Sequence, residues 1–495
     1  MLRDVVRECK LRGLTLRGDA ARAMKASLEK DPDATVESLI EAVRQRVERG
    51  KTCVVDAEVV RGALEEERPC LVVLDAYATP RLAYDPGSHK FSLVRGSTPS
   101  RSEAYRARYE LARERVARCF PQICRLDAVS APACVLGVVL EIESKFYLED
   151  LHSVVRVEFG SATAYGGFFA EGMVVVVEGE VDGNVFRARA VGHPPPEPRE
   201  AAFRAIGGVH LDVFGDARVA TSVDAPPWII AAETHLDAPT VLPRLRHLME
   251  GLVAPASRRY KAAMDHAKSR GSREPPRIVV ALVGNFLSSR LSGAAKLREL
   301  KARFADLAAM IASLEIDADF LLVPGPRDPC LGSATVLPRP KLPARVLQPF
   351  MDKIPTTTAA TSPCRLRGPD GRELVIHRGN TLRKLRKLSS ALVPATASEK
   401  FDLRPTDHLA KTLIDQAHLA PFSLNIQPVQ SDFDHALRLY PPPNALALAD
   451  DTAPRFDTVY ENCAVFNPGN FAQDGAFVLY DPLTCKVDSS RVPPS

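Results

Sequence analysis

Eight residues stand where this chain could handle a metal or a phosphate. Glu233 and His235 follow the apolar run in IIAAETHLD (229–237), Asn285 lies in VVALVGNFLSS (279–289), and Pro326, Arg327 and Asp328 end FLLVPGPRDP (320–329). Asn470 belongs to FNPGNF (466–471), and His418 is a further metal-capable side chain. The first three stretches are apolar runs of strand length that end in a Gly- or Pro-marked turn, where a sheet presents side chains to a crevice at its carboxyl ends. Carboxylate and imidazole supplied by several such turns would hold two divalent cations and clamp a phosphate between them. Here the second turn offers only the amide of Asn285, the third puts Pro326 and Arg327 before Asp328, and the last has Asn470 and no imidazole. Arg327 brings a fixed positive charge to the place where cations would bind. A Glu-x-His pair at a strand end places both side chains on one face, so one weak metal at Glu233 and His235 stays open. The alternative for Glu233, His235, Asp328 and His418 is a polar remnant satisfied by hydrogen bonds. Two-metal hydrolysis is excluded, no G-x-S-x-G elbow supports a Ser-His-Asp triad, and no phosphate loop of the G-x-x-x-x-G-K-[ST] kind is present.

The elements that would position these residues follow from length and patterning. The chain has 495 residues, about three domains' worth, and its 45% hydrophobic content suffices for buried cores. With 65 Lys+Arg against 61 Asp+Glu the net charge is +4, too small for a protein that coats nucleic acid, so any DNA contact is local and weak. Ten cysteines without a C-x-x-C pair fit a reducing compartment, and neither a secretory leader nor a membrane span is expected.

Residues 1–70 show helical periodicity in Ala23, Leu28, Val36, Leu39, Ile40, Val43 and Val47 and read as a small all-α domain. Residues 71–130 read as a connector carrying one strand, CLVVLDAY (70–77), and one helix, 101–120, whose six arginines and three glutamates suggest a solvated face. Five strand-period segments between 134 and 192 suit a small closed barrel of the OB type over 131–200. Its Phe146, Tyr147, Phe159, Phe168, Phe169 and Phe186 are candidates either for base stacking or for core packing. After the HPPPEPRE run (193–200), strands and helices alternate over 201–495 as in a layered α/β domain, with helices expected at 240–252, 291–314 and 405–418. Within it, 257–277 reads as a basic exposed loop and RGNTLRKLRKL (378–388) as a short basic amphipathic helix, either an exposed face or a contact for phosphate or an acidic partner. The fold class is therefore multidomain α+β.

The four turns resemble those of calcineurin-like phosphoesterases, which read Asp-x-His, Gly-Asp, Gly-Asn-His-Asp/Glu and Gly-His-x-His, but most of the ligands are replaced here. The order of helical domain, OB barrel and ligand-poor phosphoesterase layer is similar to the B-subunit family of the eukaryotic replicative DNA polymerases, in its epsilon branch. The segments that carry the resemblance are KLRGLTLRGDA (10–20), PRLAYD (80–85), KFYLED (145–150), VGHPPPEP (191–198) and VGNF (283–286). VPGPRDP (323–329), VLPRPKLP (336–343), QAHLAPF (416–422), ALRLYPPP (436–443) and NPGNF (467–471) complete the set. The resemblance implies a calcineurin-like domain without its metal ligands, no catalysis and no cofactor. It implies an accessory subunit that grips the zinc-bearing C-terminal region of the epsilon catalytic subunit and ties it, through residues 1–70, to the GINS part of the replicative helicase. It also implies residence in the nucleus. The competing readings are a residual phosphoesterase using Glu233 and His235, and a single-strand DNA-binding barrel.

Overall fold

Apolar runs that are buried on both faces dominate the C-terminal half and build two stacked sheets. The computed structural model describes residues 2–11, 14–30, scattered positions between 39 and 60, and 69–493 apart from 86–87, 89, 95–98, 121, 130–131, 161, 208–212, 215–223, 271–273, 290–291, 334 and 393–403. One six-stranded sheet runs Thr357–Ala359, Asp319–Val323, Val279–Val283, Trp228–Ala232, Ala476–Tyr480, Val487–Arg491. Its first four strands are parallel and the last two antiparallel. The other runs Phe456–Tyr460, Cys463–Asn467, Ala445–Asp450, Glu373–Gly379, Cys364–Arg367, Val72–Asp75.

The strand ALALAD shows how the layers are set. Ala445, Ala447 and Ala449 face the first sheet, while Leu446 and Leu448 face the opposite way into a second core. Successive side chains of a strand point to opposite faces, so small residues on one side let the sheets approach and large ones on the other fill the next layer. Trp228, the only tryptophan of the chain, is 3% exposed between the sheets. The outer face of the first sheet packs on helices Val241–Leu248, Gly293–Ala312 and Ala344–Met351.

The barrel closes as its strand spacing predicts. Ala133–Ile142, Lys145–Glu149 and Val154–Glu158 follow one another antiparallel, Val154–Glu158 pairs parallel with Val185–Gly192, and Val174–Asp182 joins that strand back to the first. Closure removes both sheet edges. The barrel interior, the outer face of the second sheet and helices Thr381–Leu392 and Pro405–Asp415 share one continuous core. The helix Pro405–Asp415 and the residue after it bolt the barrel down. His408 Nδ1 accepts from Gly167 N at 2.7 Å, Thr412 Oγ1 from Phe168 N at 2.8 Å, and Gln416 exchanges bonds with Val174 N and O at 3.1 and 2.7 Å. Gln416 also donates to His193 Nδ1 at 2.8 Å, and burial lowers His193 to about 3, which keeps the ring neutral and able to accept.

Four expectations change. The 71–130 segment packs into the body: Val72–Asp75 pairs with Cys364–Arg367, a contact across nearly 290 positions that local patterning does not reveal. The helix Arg101–Cys119 is capped by the reciprocal Ser100–Glu103 pair, and two of its six arginines turn inward: Arg108 pairs with Asp434, and Arg115, 2% exposed, donates to Asp415 O and Pro195 O, while Arg101, Arg106 and Arg118 stay exposed. The basic 257–277 stretch lies largely in the helix Ala254–Arg270. The N-terminal unit is not purely α, because Thr15–Leu16 pairs parallel with Val54–Val55. Among the described residues its core is self-contained, with Val5, Cys9, Met24, Ile40, Val43 and Val60 packed on one another. Leu28 and Val36 lie outside the residues whose side chains are described. No described helix is long and apolar enough to cross a membrane.

Candidate functional site

Three strands of the first sheet end side by side, and their turns bring together six of the eight residues singled out above. Trp228–Ala232 runs into Glu233, Val279–Val283 into Gly284 and Asn285, and Asp319–Val323 into Gly325, Arg327 and Asp328. Glu233 has φ 56° and is 3% exposed, so its carboxylate is turned under the surface. The approach of the neighbouring turns demands glycine. A Cβ at Gly284 would stand 1.9 Å from Asp328 Oδ2, and one at Gly325 would stand 2.6 Å from Asn285 Oδ1.

The polar groups that line the cleft are engaged by one another. Glu233 Oε2 accepts from His235 Nε2 at 2.8 Å and faces Arg327 Nη2 at 3.4 Å, while Oε1 accepts from Asn285 N and Nδ2 at 3.3 and 3.1 Å. Asp328 points inward as a staple between turns, accepting from Phe286 N at 2.9 Å and Gly325 N at 2.8 Å. Burial raises its carboxyl to about 6 against the pull of those two N–H groups. Pro326 is half-buried and serves the bend of this turn, and Asn285 Oδ1 accepts from Arg327 N at 2.8 Å.

The decisive group is Arg378, which the sequence joins to the basic helix that follows it. It lies on the strand Glu373–Gly379 of the second sheet, is fully buried, and sends its guanidinium into this cleft. Nη2 donates to Glu233 Oε1, Nε to Gly284 O at 2.8 Å, and Nη1 to Gly379 O and Ala449 O at 2.6 and 3.0 Å. Burial pushes the Glu233 carboxyl up, but the His235 bond, the Arg378 charge and the Asn285 amide outweigh it and hold the group down at about 2. A signal was available: the strand-length segment ELVIHRG (373–379) closes on a glycine, as do the runs VVALVG (279–284) and FLLVPG (320–325) before two of the turns.

The other two residues fall elsewhere or change role. His418, 2% exposed, sits in the seam facing the helix Arg101–Cys119, donating from Nε2 to Asp434 O at 3.3 Å and accepting from Ala420 N at 3.0 Å. Burial lowers it to about 4. Asn470 caps the short helix Phe471–Asp474 through Gln473 N, and that helix reaches the cleft only by its backbone, Ala472 N donating to Glu233 O at 3.1 Å.

This donor set does not fit a divalent metal. The one carboxylate at the centre is engaged by a buried guanidinium, a second guanidinium approaches it, and the Asn285 amide presents its N–H to it rather than its oxygen. Two fixed cations facing the same carboxylate repel a third.

The barrel aromatics divide in the same direction. Phe159, Phe169 and Phe186 are at most 3% exposed, Phe169 stacks on His193 at 4.4 Å, and Phe168 packs against His408 at 5.7 Å, so these four build the core and the barrel's seat. Phe146 and Tyr147 are half-buried on the strand Lys145–Glu149.

With this geometry in hand, comparison with known proteins is specific. Residues 228–458 match the family described as the DNA polymerase alpha/epsilon B subunit, and residues 120–195 match the OB-fold domain described as DNA polymerase epsilon subunit 2-like. The chain is 28% identical to the DNA polymerase epsilon B subunit of Arabidopsis thaliana, over 99% of this chain and 98% of that one. It is 27% identical to DNA polymerase epsilon subunit 2 of Homo sapiens, over 98% and 97%. Against the DNA polymerase epsilon B subunit of Schizosaccharomyces pombe the identity is 24%, over 80% and 72%. A barrel and a two-sheet body that each match models of this one group of proteins make the chain similar, over nearly its whole length, to the B subunits of DNA polymerase epsilon.

Proposed function

We propose that this chain is a non-catalytic accessory subunit of a DNA polymerase epsilon complex, in which the barrel and the two-sheet body act as one docking platform for the catalytic subunit. The observation that carries the reading is the Arg378–Glu233 pair, which engages the cleft's central carboxylate from within. A calcineurin-like ancestry accounts for the parallel strands with glycine turns that converge there. Loss of catalysis leaves the shape and buried anchors that an interface needs. The continuous core between barrel and second sheet supports a rigid platform. In this reading the zinc-bearing C-terminal region of the catalytic subunit seats on the platform, DNA contact is weak or indirect, and the complex works in the nucleus.

The purified chain is expected to hydrolyse no phosphodiester and to take up no stoichiometric manganese. Elemental analysis with two metals per chain, together with turnover abolished by Glu233→Ala, would reverse the assignment. Assembly is tested by co-purification at high salt, where the polymerase catalytic subunit is expected to accompany the chain.

Residues 1–70 form a tether to the GINS part of the helicase in this reading, and their self-contained core supports independent folding. Deleting them should leave the catalytic subunit bound while helicase association is lost. Release of the catalytic subunit by the truncated chain would place these residues in the main body.

A further inference from the structure

Oxygens from several separate segments surround the guanidinium of Arg378. They are Glu233 Oε1, Gly284 O, Gly379 O and Ala449 O, with Asp451 Oδ2 at 3.5 Å. Glu233 and Gly284 follow strands of the first sheet, whereas Gly379, Ala449 and Asp451 belong to strands of the second or the turn after them. The acceptors are shared among three nitrogens, as a flat, forked cation requires. A metal ion instead needs its oxygens to converge on one point at roughly 2.0–2.6 Å.

We propose that this cleft is an organic-cation site whose resident is the protein's own Arg378, and that the guanidinium holds the two sheets together at their carboxyl ends. The ligand class is a planar guanidinium, not a divalent metal. The cage is selective for three reasons. The carbonyls of Gly284, Gly379 and Ala449 are fixed by strand pairing or by the turns that follow it. The Glu233 carboxylate is held in place by His235 and Asn285. Arg327, approaching from the exposed side, supplies charge that a compact dication could not tolerate. The inference rests on the non-catalytic reading of the cleft, so its test reads stability and cation binding, whereas turnover would defeat that reading separately.

The experiment uses the full chain carrying Arg378→Ala, which leaves a guanidinium-sized space and a Glu233 carboxylate without its buried cation. Thermal unfolding followed by the fluorescence of Trp228 should show a melting temperature several degrees lower than that of the parent. Methylguanidinium at millimolar concentration should restore part of that loss saturably, as a ligand of the folded state does, and methylammonium, magnesium and manganese should not. The parent chain and the Glu233→Gln/Arg378→Ala double variant should not respond. Absence of a saturable methylguanidinium effect on Arg378→Ala, or an equal effect of manganese, overturns the proposal. Should Arg378→Ala not accumulate in folded form, it is refolded from urea with and without methylguanidinium. A several-fold higher yield with the cation is expected, and an unchanged yield overturns the proposal equally.

Discussion

Replacing Glu233 by glutamine is expected to destabilise the body by about 3 kcal/mol, the lower end of the range found when one partner of a buried ion pair is removed, because Asp451 Oδ2 still faces the Arg378 guanidinium at 3.5 Å. Arg378 has no exposed surface and cannot swing its charge into water. The glutamine amide would also turn N–H groups toward the donors of Asn285 and His235, where only acceptors are satisfied. Urea unfolding followed through Trp228 reports this directly, because the indole is buried between the two sheets that Arg378 ties together. Adding Arg378→Met to Glu233→Gln should recover part of the loss, since an apolar side chain of similar length removes the stranded cation while leaving three carbonyls short of a donor. A double variant as unstable as the sum of the two singles would show that the pair is not coupled.

The same pair sets a pH dependence. The folded-state pKa of Glu233, about 2, lies below its ordinary value of 4.5, so the carboxylate contributes stability that is present above about pH 4.5 and is lost as pH falls toward 2. The parent should therefore lose stability across this acid window more steeply than Glu233→Gln, which has no proton to take up there. Parallel acid limbs for the two proteins would remove Glu233 as the source.

The second large effect is expected at Gly172, where the barrel meets the body. Its φ is 88°, and an added Cβ would lie 2.4 Å from Ser423 N and 2.6 Å from Phe422 C, backbone atoms that cannot step aside. Gly172 N also donates to Val139 O inside the barrel, and its neighbour Glu171 O accepts from Ser423 N, so the residue is pinned from both sides. Gly172→Ala should cost roughly 2–5 kcal/mol, combining a left-handed backbone forced on an L side chain with overpacking of the seam. Because barrel and second sheet share one core, the damage should appear as separation of two transitions in calorimetry rather than as loss of one. An unchanged single transition would mean that the seam can yield and the platform is not rigid.

The order of parts is legible in the sequence because it rests on local periodicity. Alternation in residues 134–192 places the barrel strands within a residue or two of where they lie, and the turn at Asp182–Gly183–Asn184 follows from a glycine free to take φ 62°. The ends of Val279–Val283 and Asp319–Val323 are legible for a similar reason, since an apolar strand that stops at Gly or Pro must release its next side chains at the sheet's carboxyl edge. The loss of metal-binding residue types at those turns is likewise a statement about composition, which chain order alone carries.

Partnership across the fold is a different kind of information. Nothing near position 378 indicates that its guanidinium meets Glu233, 145 residues earlier, because that meeting depends on two sheets stacking with their carboxyl ends level. A basic residue beside RKLRK reads as surface until the strand before it is placed inside a sheet. Arg108 and Arg115 read as surface for the same reason, their partners Asp434 and Asp415 lying some three hundred residues away. His418, grouped by type with Glu233 and His235, belongs to a separate seam. Local sequence sets what each segment can become, whereas desolvation of charge is settled only when distant segments close over it, and here that closure placed an arginine where the turns alone suggested an emptied metal site.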